Sequence, residues 1–227
     1  ESAGVAGLQG KSNIANEIGI LKSYSLAIAT LGKLDLNVQY FQEDLFKINQ
    51  IYGNYPVFVK VDWTKKQVVG GLIKLEVIDE NTFQLSIEDP ESFQIFNPQD
   101  PNFKSRVELF SLPNSVYTFG ELIQGEFYEF TVEKVSALPG EVLFFQLIDT
   151  PSLALRFTTD LSVAPSNKQS SILNLGLETP LRRLGVDYLN QLMETYLQRE
   201  LDEKNRTSEN TIRFIDQQLS GITDSLR

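Results

Sequence analysis

Cysteine and histidine are both absent from this chain of 227 residues, and each absence closes off chemistry. Without cysteine there are no disulfides and no thiolate chemistry. That suits the cytosol, and equally an oxidising compartment where a stray thiol is a hazard. Without histidine the commonest general base and the commonest metal ligand are missing, and no triad with a histidine base can form. No run approaches the roughly 18 consecutive apolar residues that a membrane-spanning helix needs. Glu1 to Gly10 is small and polar rather than basic then apolar, so it does not read as a signal peptide. Any segment for export or anchoring is expected outside this stretch. Positive charge is also scarce, with 20 Lys and Arg against 30 Asp and Glu and a net charge of -10. That balance argues against nucleic acid as a partner and against anionic lipid headgroups.

What is present supports a proper core. Hydrophobic residues make up 41% of the chain, and 15 Phe with 8 Tyr lean toward β structure. A first helix is expected from about Ser12 to Leu31, capped by Ser12 or Asn13 and closed at Gly32. Its apolar face is Ile14, Ile18, Leu21, Ile28 and Leu31, suited to packing on a sheet. Short β runs then follow from Leu36 to about Leu177. Val38, Tyr40 and Phe41 lie in the first, and Val57, Val59 and Val61 alternate with Phe58, Lys60 and Asp62 in the next. Leu72 to Ile78 and Thr82 to Ile87 flank a hairpin turn at Asp79-Glu80-Asn81. Further strands are expected at Val107 to Phe110, Phe127 to Val132, Val142 to Ile148, Ala154 to Phe157 and Ile172 to Leu177. Many short strands punctuated by Pro and Gly, with no helix visible between them, indicate an antiparallel sandwich or jelly-roll-like body.

The last element is a long helix expected to start at Thr179-Pro180, a cap followed by a first-turn proline. Leu181, Leu184, Leu189, Leu192, Met193, Tyr196 and Leu197 form its docking stripe. From Gln198 to Thr211 only Leu201 is clearly apolar, and apolar spacing returns with Ile212, Ile215, Leu219, Ile222 and Leu226. At about 1.5 Å per residue such a helix extends on the order of 70 Å, longer than a compact domain is wide. It is stable only where a partner covers its apolar positions. That partner is expected to be another helix further along a longer chain, or another subunit. The stretch therefore reads as an excerpt of a larger protein, monomeric or weakly associated on its own.

Motifs for catalysis are weak. Gly70-Gly71 followed by Lys74 lacks the full phosphate-loop pattern and reads as a bulge or turn. Asp62, Glu88, Asp89, Glu91 and Asp100 lie in or near loops, but 30 acidic residues produce such clusters freely. The same holds for a calcium site at Asp79-Glu80-Asn81 or Glu88-Asp89, and no EF-hand loop is present. Trp63, beside Tyr55 and Phe58, could form a sugar-stacking platform, although core or edge packing is the plainer reading. Asn205-Arg206-Thr207 matches the glycosylation sequon, a three-residue pattern that carries little weight.

Two segments together resemble a known family. Ile18-Gly-Ile-Leu-Lys-Ser23 followed by Leu34-Asp35-Leu36-Asn37-Val38 is similar to the helix-and-strand opening of Wzz-type polysaccharide co-polymerases. Pro180-Leu-Arg-Arg-Leu-Gly-Val-Asp-Tyr-Leu-Asn190, Tyr196, Lys204-Asn205 and Thr211-Ile-Arg-Phe214-Ile215-Asp216-Gln-Gln-Leu219 resemble the long helix of the same family. The likeness is strongest to its Wzc/GumC-like exopolysaccharide members. The strand Ile172-Leu173-Asn174-Leu175 also fits, and together these segments span about a third of the chain. The resemblance implies the periplasmic part of a bacterial inner-membrane protein, anchored by two transmembrane helices absent here. It implies ring assembly, an α/β base and a projecting helix, with a role in the length or export of surface polysaccharide. In kinase-bearing members an ATP site and a tyrosine-rich tail follow the second span. Neither occurs here, so no enzyme activity is assigned to this stretch. The β region from about Val57 to Phe157 exceeds what simple chain-length regulators need and suits larger export-type members.

On this reading the fold is α+β: an antiparallel β-rich body, an N-terminal helix on a small α/β base, and a long C-terminal helix. Residues 1–56 open the base, 57–157 form the β domain, 158–197 complete the base and root the helix, and 198–227 project as an arm. Leu181, Leu184, Leu192 and Tyr196 are expected to dock the helix, and Asn190 to make a buried polar contact. The polar middle, with Arg199, Glu200, Asp202, Glu203, Lys204 and Arg206, faces solvent or neighbouring subunits. No cofactor or metal is expected. The expected partners are other copies of the protein through the long helix, with surface polysaccharide and an outer-membrane exporter beside them. Two other readings compete: a carbohydrate-binding β-sandwich with a stalk helix, contacting glycan through Trp63, and a periplasmic adaptor of a secretion or efflux pump.

Overall fold

The computed structural model describes residues 14–45, 47–101, 104–107, 110–112, 116–167 and 170–225, with side chains to residue 220. Its N-terminal region is two helices where one was expected. Helix α1 (14–21) stops before Ser23, whose extended backbone (φ -71°, ψ 139°) caps α2 (Tyr24–Leu31). The Ser23 hydroxyl accepts a hydrogen bond from Leu26 N at 3.3 Å, which replaces helical continuity with a local bond. An apolar period cannot reveal such a break, because the stripe continues across it. Gly32 closes α2 as expected, in an ordinary right-handed conformation (φ -64°). The caps foreseen at Ser12 and Asn13 lie outside the described residues.

The body is antiparallel throughout. Its largest sheet has six strands in the order β2 (Lys47–Ile51), β1 (Val38–Asp44), β12 (Val142–Leu147), β5 (Leu72–Val77), β6 (Thr82–Ile87) and β9 (Val116–Thr118). A three-stranded sheet orders β10 (Leu122–Gly125), β11 (Tyr128–Lys134) and β3 (Val57–Val61). Another orders β4 (Gln67–Val69), β7 (Gln94–Phe96) and β8 (Lys104–Arg106). Alternation along the strands fixes which side faces in. Ile73, Leu75, Val77, Phe83, Leu85, Leu143, Phe145 and Leu147 meet Val57, Val59, Phe130 and Val132 in one core, the sandwich foreseen. The Tyr40 hydroxyl accepts from Val59 N at 2.8 Å and ties the sheets together; burial pushes this phenol well above its usual range.

The hairpin at Asp79 is present, with Asp79 Oδ1 accepting from Asn81 N and Thr82 N at 2.8 Å each. Gly70 and Gly71 join β4 to β5. Gly70 has φ +97°, and a Cβ on Gly71 would lie 2.3 Å from the Phe93 ring. That is the turn the sequence suggested, and a close approach that only glycine allows. Val107 and Phe110 are not in a strand; pairing ends just before them at β8, and residues 108–109 lie outside the described set.

One expected strand is a helix. Ala154 to Phe157 belong to α3 (Thr150–Asp160). Asp149 caps it by accepting from Ser152 N at 2.9 Å, and Pro151 sits in the first turn. A short apolar run does not distinguish strand from helix; here the preceding Asp-Thr-Pro decides. Helix α3 leads into the hairpin of β13 (Leu161–Pro165) and β14 (Leu173–Leu177). The long helix α4 (Arg182–Ser225) starts two residues after Pro180, and the Thr179 hydroxyl accepts from Leu181 N at 3.2 Å instead of capping α4.

A second core gathers Leu21, Leu26, Ala27, Leu31, Leu36, Leu153, Ala154, Phe157, Leu161, Leu184, Tyr188 and Leu192. This is the base. Its limits differ from the expected division at 57 and 157. Strands β1 and β2 precede residue 57 yet join the six-stranded sheet, because β1 pairs with β12 from Val38↔Leu147 to Phe41↔Phe144. The boundary at 157 falls inside α3, which packs in the base.

Candidate functional site

The root of α4 is the best-defined interaction surface. Leu184, Tyr188, Leu192 and Thr195 are buried at helical spacing, and the first three pack against Leu26, Ala27 and Leu31 of α2 and Leu153, Ala154 and Phe157 of α3. The Phe157 and Tyr188 rings stack at 4.2 Å between centroids, 30° apart. Leu181, Leu189, Met193 and Tyr196 flank this face half-buried. The Tyr196 hydroxyl donates to Glu17 of α1. Burial, then the Glu17 carboxylate, pushes the Tyr196 phenol well above its usual range.

Of the residues expected to dock the helix, Leu184 and Leu192 lie in this buried face, Leu181 and Tyr196 lie beside it, and Asn190 lies outside it. Asn190 is exposed. At about 100° per residue it lies some 200° around the helix from Tyr188, on the side facing away from the base. Tyr188 is the residue the sequence reading missed, although Leu184, Tyr188 and Leu192 repeat at four-residue spacing. Its hydroxyl is buried with no hydrogen-bond partner among the described residues, and burial pushes the phenol up to about 12.

Beyond the root the character of α4 changes within one turn. Arg199 Nη1 still donates to Ser25 Oγ of α2 at 3.2 Å. Every side chain from Leu201 to Ser220 is exposed, including Leu201, Ile212, Phe214, Ile215 and Leu219. Thr207, Ser208 and Thr211 donate back to the carbonyls of Glu203, Lys204 and Thr207 in their own helix. The side chains of Ile222 and Leu226 lie outside the described set.

The other chemistry-bearing residues have local structural roles. Asp149 is 1% exposed, and its Oδ2 lies 2.6 Å from Lys104 Nζ of β8. Lys104 also donates to Ser152 Oγ. A serine beside a lysine can serve as nucleophile and base only if the lysine offers a free lone pair. Here Lys104 is the counter-ion of a buried carboxylate, so the trio acts as a clamp between the body and the capped end of α3. Asp62 accepts from the Thr64 hydroxyl at 2.6 Å and the Thr64 N–H at 3.0 Å, which hold its carboxyl below the usual range. Asp79 is held down by the amides of its own turn. No group of three or more acidic side chains is placed to hold a metal ion among the described residues. Trp63 is half-buried on the rim of the body, edge-on to Phe96 at 6.3 Å. No helix among the described residues is long and apolar enough to cross a membrane. No protein-family model matches this chain, and a search of curated proteins finds no match.

Proposed function

We propose that this chain is a periplasmic assembly domain of an inner-membrane polysaccharide co-polymerase, acting on the length or export of capsular or exopolysaccharide. One observation carries the reading: a 44-residue helix is rooted by a single buried face and then runs on with an apolar seam in solvent. At about 1.5 Å per residue it extends some 66 Å, about twice the width of a small domain. Such a seam has a use only when a neighbour covers it.

The seam also has a period that suits another helix. Leu201, Asn205, Ser208, Ile212, Ile215 and Leu219 follow alternating steps of four and three, the spacing of a coiled coil. Asn205 and Ser208 supply two adjacent polar positions within it, and a buried Asn of this kind sets register at some cost in stability. Asp202, Glu209 and Asp216 flank one side of the seam and Lys204, Thr211 and Gln218 the other. Two copies side by side and parallel set Lys204 against Glu209, whereas antiparallel copies oppose the acidic flanks. Parallel arms rising from adjacent bases fit an assembly that surrounds or measures a growing polymer.

The test is genetic. The double variant Ile212→Asp and Ile215→Asp, placed in the gene that encodes this chain, is expected to shift the length distribution of surface polysaccharide at unchanged protein level. A strain lacking the gene that makes polysaccharide of the parental amount and length would overturn the reading.

A further inference from the structure

Where the base meets the body, a groove of about 230 Å³ opens between the entry to β1 and the free edge of β3. Asp35, Asn37, Val38 and Tyr40 line one wall, and Phe58, Val59, Lys60, Val61 and Trp63 the other. We infer that this groove is a binding site for one residue of a neutral sugar chain, seated against Trp63 and held by Asp35 and Asn37.

Size comes first. The volume falls below the range of about 300–1,000 Å³ typical of sites for larger organic ligands. It suits a single ring-sized unit, with the neighbouring units of a chain lying outside. The apolar surface comes next. Phe58, Val61 and Trp63 are half-buried, so they offer ring and methyl surface without being sealed inside the core. The C–H face of a pyranose is the kind of flat apolar patch that such aromatic surface covers.

The polar groups select against charge. Lys60 Nζ is 2.6 Å from Glu133 Oε1, so its charge is already matched. Asp35 is exposed and makes no ion pair among the described residues, which leaves a lone carboxylate at the mouth. An anionic ligand would meet that charge unopposed. A neutral polyol can donate hydroxyl protons to it in a charge-assisted bond. Asn37 adds a fixed acceptor: its Nδ2 donates to Ile148 O at 2.7 Å and to Thr150 Oγ1 at 3.1 Å. Both amide protons are thereby spent within the fold, and Oδ1 is left in a set orientation.

The free edge of β3 also invites an added peptide strand, and one bond argues against it. The groove-side amide of Val59 already donates to the Tyr40 hydroxyl at 2.8 Å. A strand pairing here would find its central donor taken.

The chain has one tryptophan, so Trp63 emission reports on this groove alone. The test titrates the protein with linear trisaccharides of glucose, mannose and galactose, and with trigalacturonate as an acidic counterpart. Saturable change in Trp63 emission with at least one neutral trisaccharide is expected, with Asp35→Ala weakening it at least fivefold at an unchanged unfolding midpoint. Because Trp63 also packs on Phe96, Trp63→Ala is read by calorimetry alongside its own thermal melt, and a folded variant is expected to lose binding. Absence of saturable binding to all three neutral sugars by both fluorescence and calorimetry overturns the proposal. So does Asp35→Ala binding equal to the parent, or trigalacturonate binding tighter than every neutral sugar. The groove does not depend on the co-polymerase reading: the titration can fail while the polysaccharide phenotype stands, and the reverse.

Discussion

Helix α4 is one continuous helix in two environments. Its root buries Leu184, Tyr188 and Leu192 against α2 and α3, whereas the side chains from Leu201 to Ser220 are exposed. The residues of both halves are acceptable helix formers, so propensity does not distinguish them. What differs is tertiary packing, the main source of helix stability in proteins. Stability in α4 is therefore graded along its length, and the arm belongs to the low end of that gradient.

The largest effect should come from the root. Leu192 is 0% exposed, and Leu192→Ala leaves a cavity between α2, α3 and α4. A loss of about 2–5 kcal/mol is expected in urea unfolding. Leu201→Ala, nine residues along the same helix, is expected to change stability by less than about 0.5 kcal/mol. Equal losses at the two positions would mean that the arm is packed in the isolated chain, and the contrast would collapse.

The sequence carried much of this contrast. The stripe of Leu181, Leu184 and Leu192 and the polar stretch after Gln198 were both legible, because helical period and the loss of apolar residues are local signals. The alternating strands β3, β5 and β6 and the Asp79 turn were legible for the same reason. Long-range pairing was not. Nothing near residue 38 says that β1 pairs with β12, so β1 was assigned to the base. Helix α3 was misread because Ala154, Leu155 and Phe157 fit either period over so short a run, and the deciding cap lies five residues earlier at Asp149. Asn190 was placed inward from the resemblance, against its own angular position on the helix. The groove at Trp63 was half legible: the aromatic residues are neighbours in sequence, but Asp35 and Asn37 arrive only through the fold.

A middle-sized effect concerns Tyr188. Its folded pKa is about 12 against about 10 for an unperturbed tyrosine. A raised folded value contributes stability that is complete below pH 10 and lost as pH rises from about 10 toward 12. Tyr52, also pushed up to about 12 by burial and then by Asp187, acts in the same window. Tyr188→Phe removes a buried hydroxyl that has no partner among the described residues. Stability at pH 7 is expected to stay level or rise by up to about 1 kcal/mol, since no buried bond is broken. The decline between pH 10 and 12, followed by urea midpoints, is expected to shallow. A destabilisation of 2 kcal/mol or more, well outside that expectation, would show that the hydroxyl has a partner.

The smallest effect locates the boundary itself. Arg199 makes the bond to Ser25 at the edge of the base, an exposed contact of the kind worth a few tenths of a kcal/mol. Arg199→Ala should leave the global unfolding midpoint in place, because none of the buried root is touched. It should instead move the point where the helix begins to open. In amide hydrogen exchange the parent is expected to protect the root strongly and to lose protection soon after residue 200. The variant is expected to lose it about one turn earlier, near Tyr196, where the bond to Glu17 is the next restraint. If protection in the parent continues undiminished to Leu219, the arm is held by something other than the base, and packing at the root cannot account for the gradient.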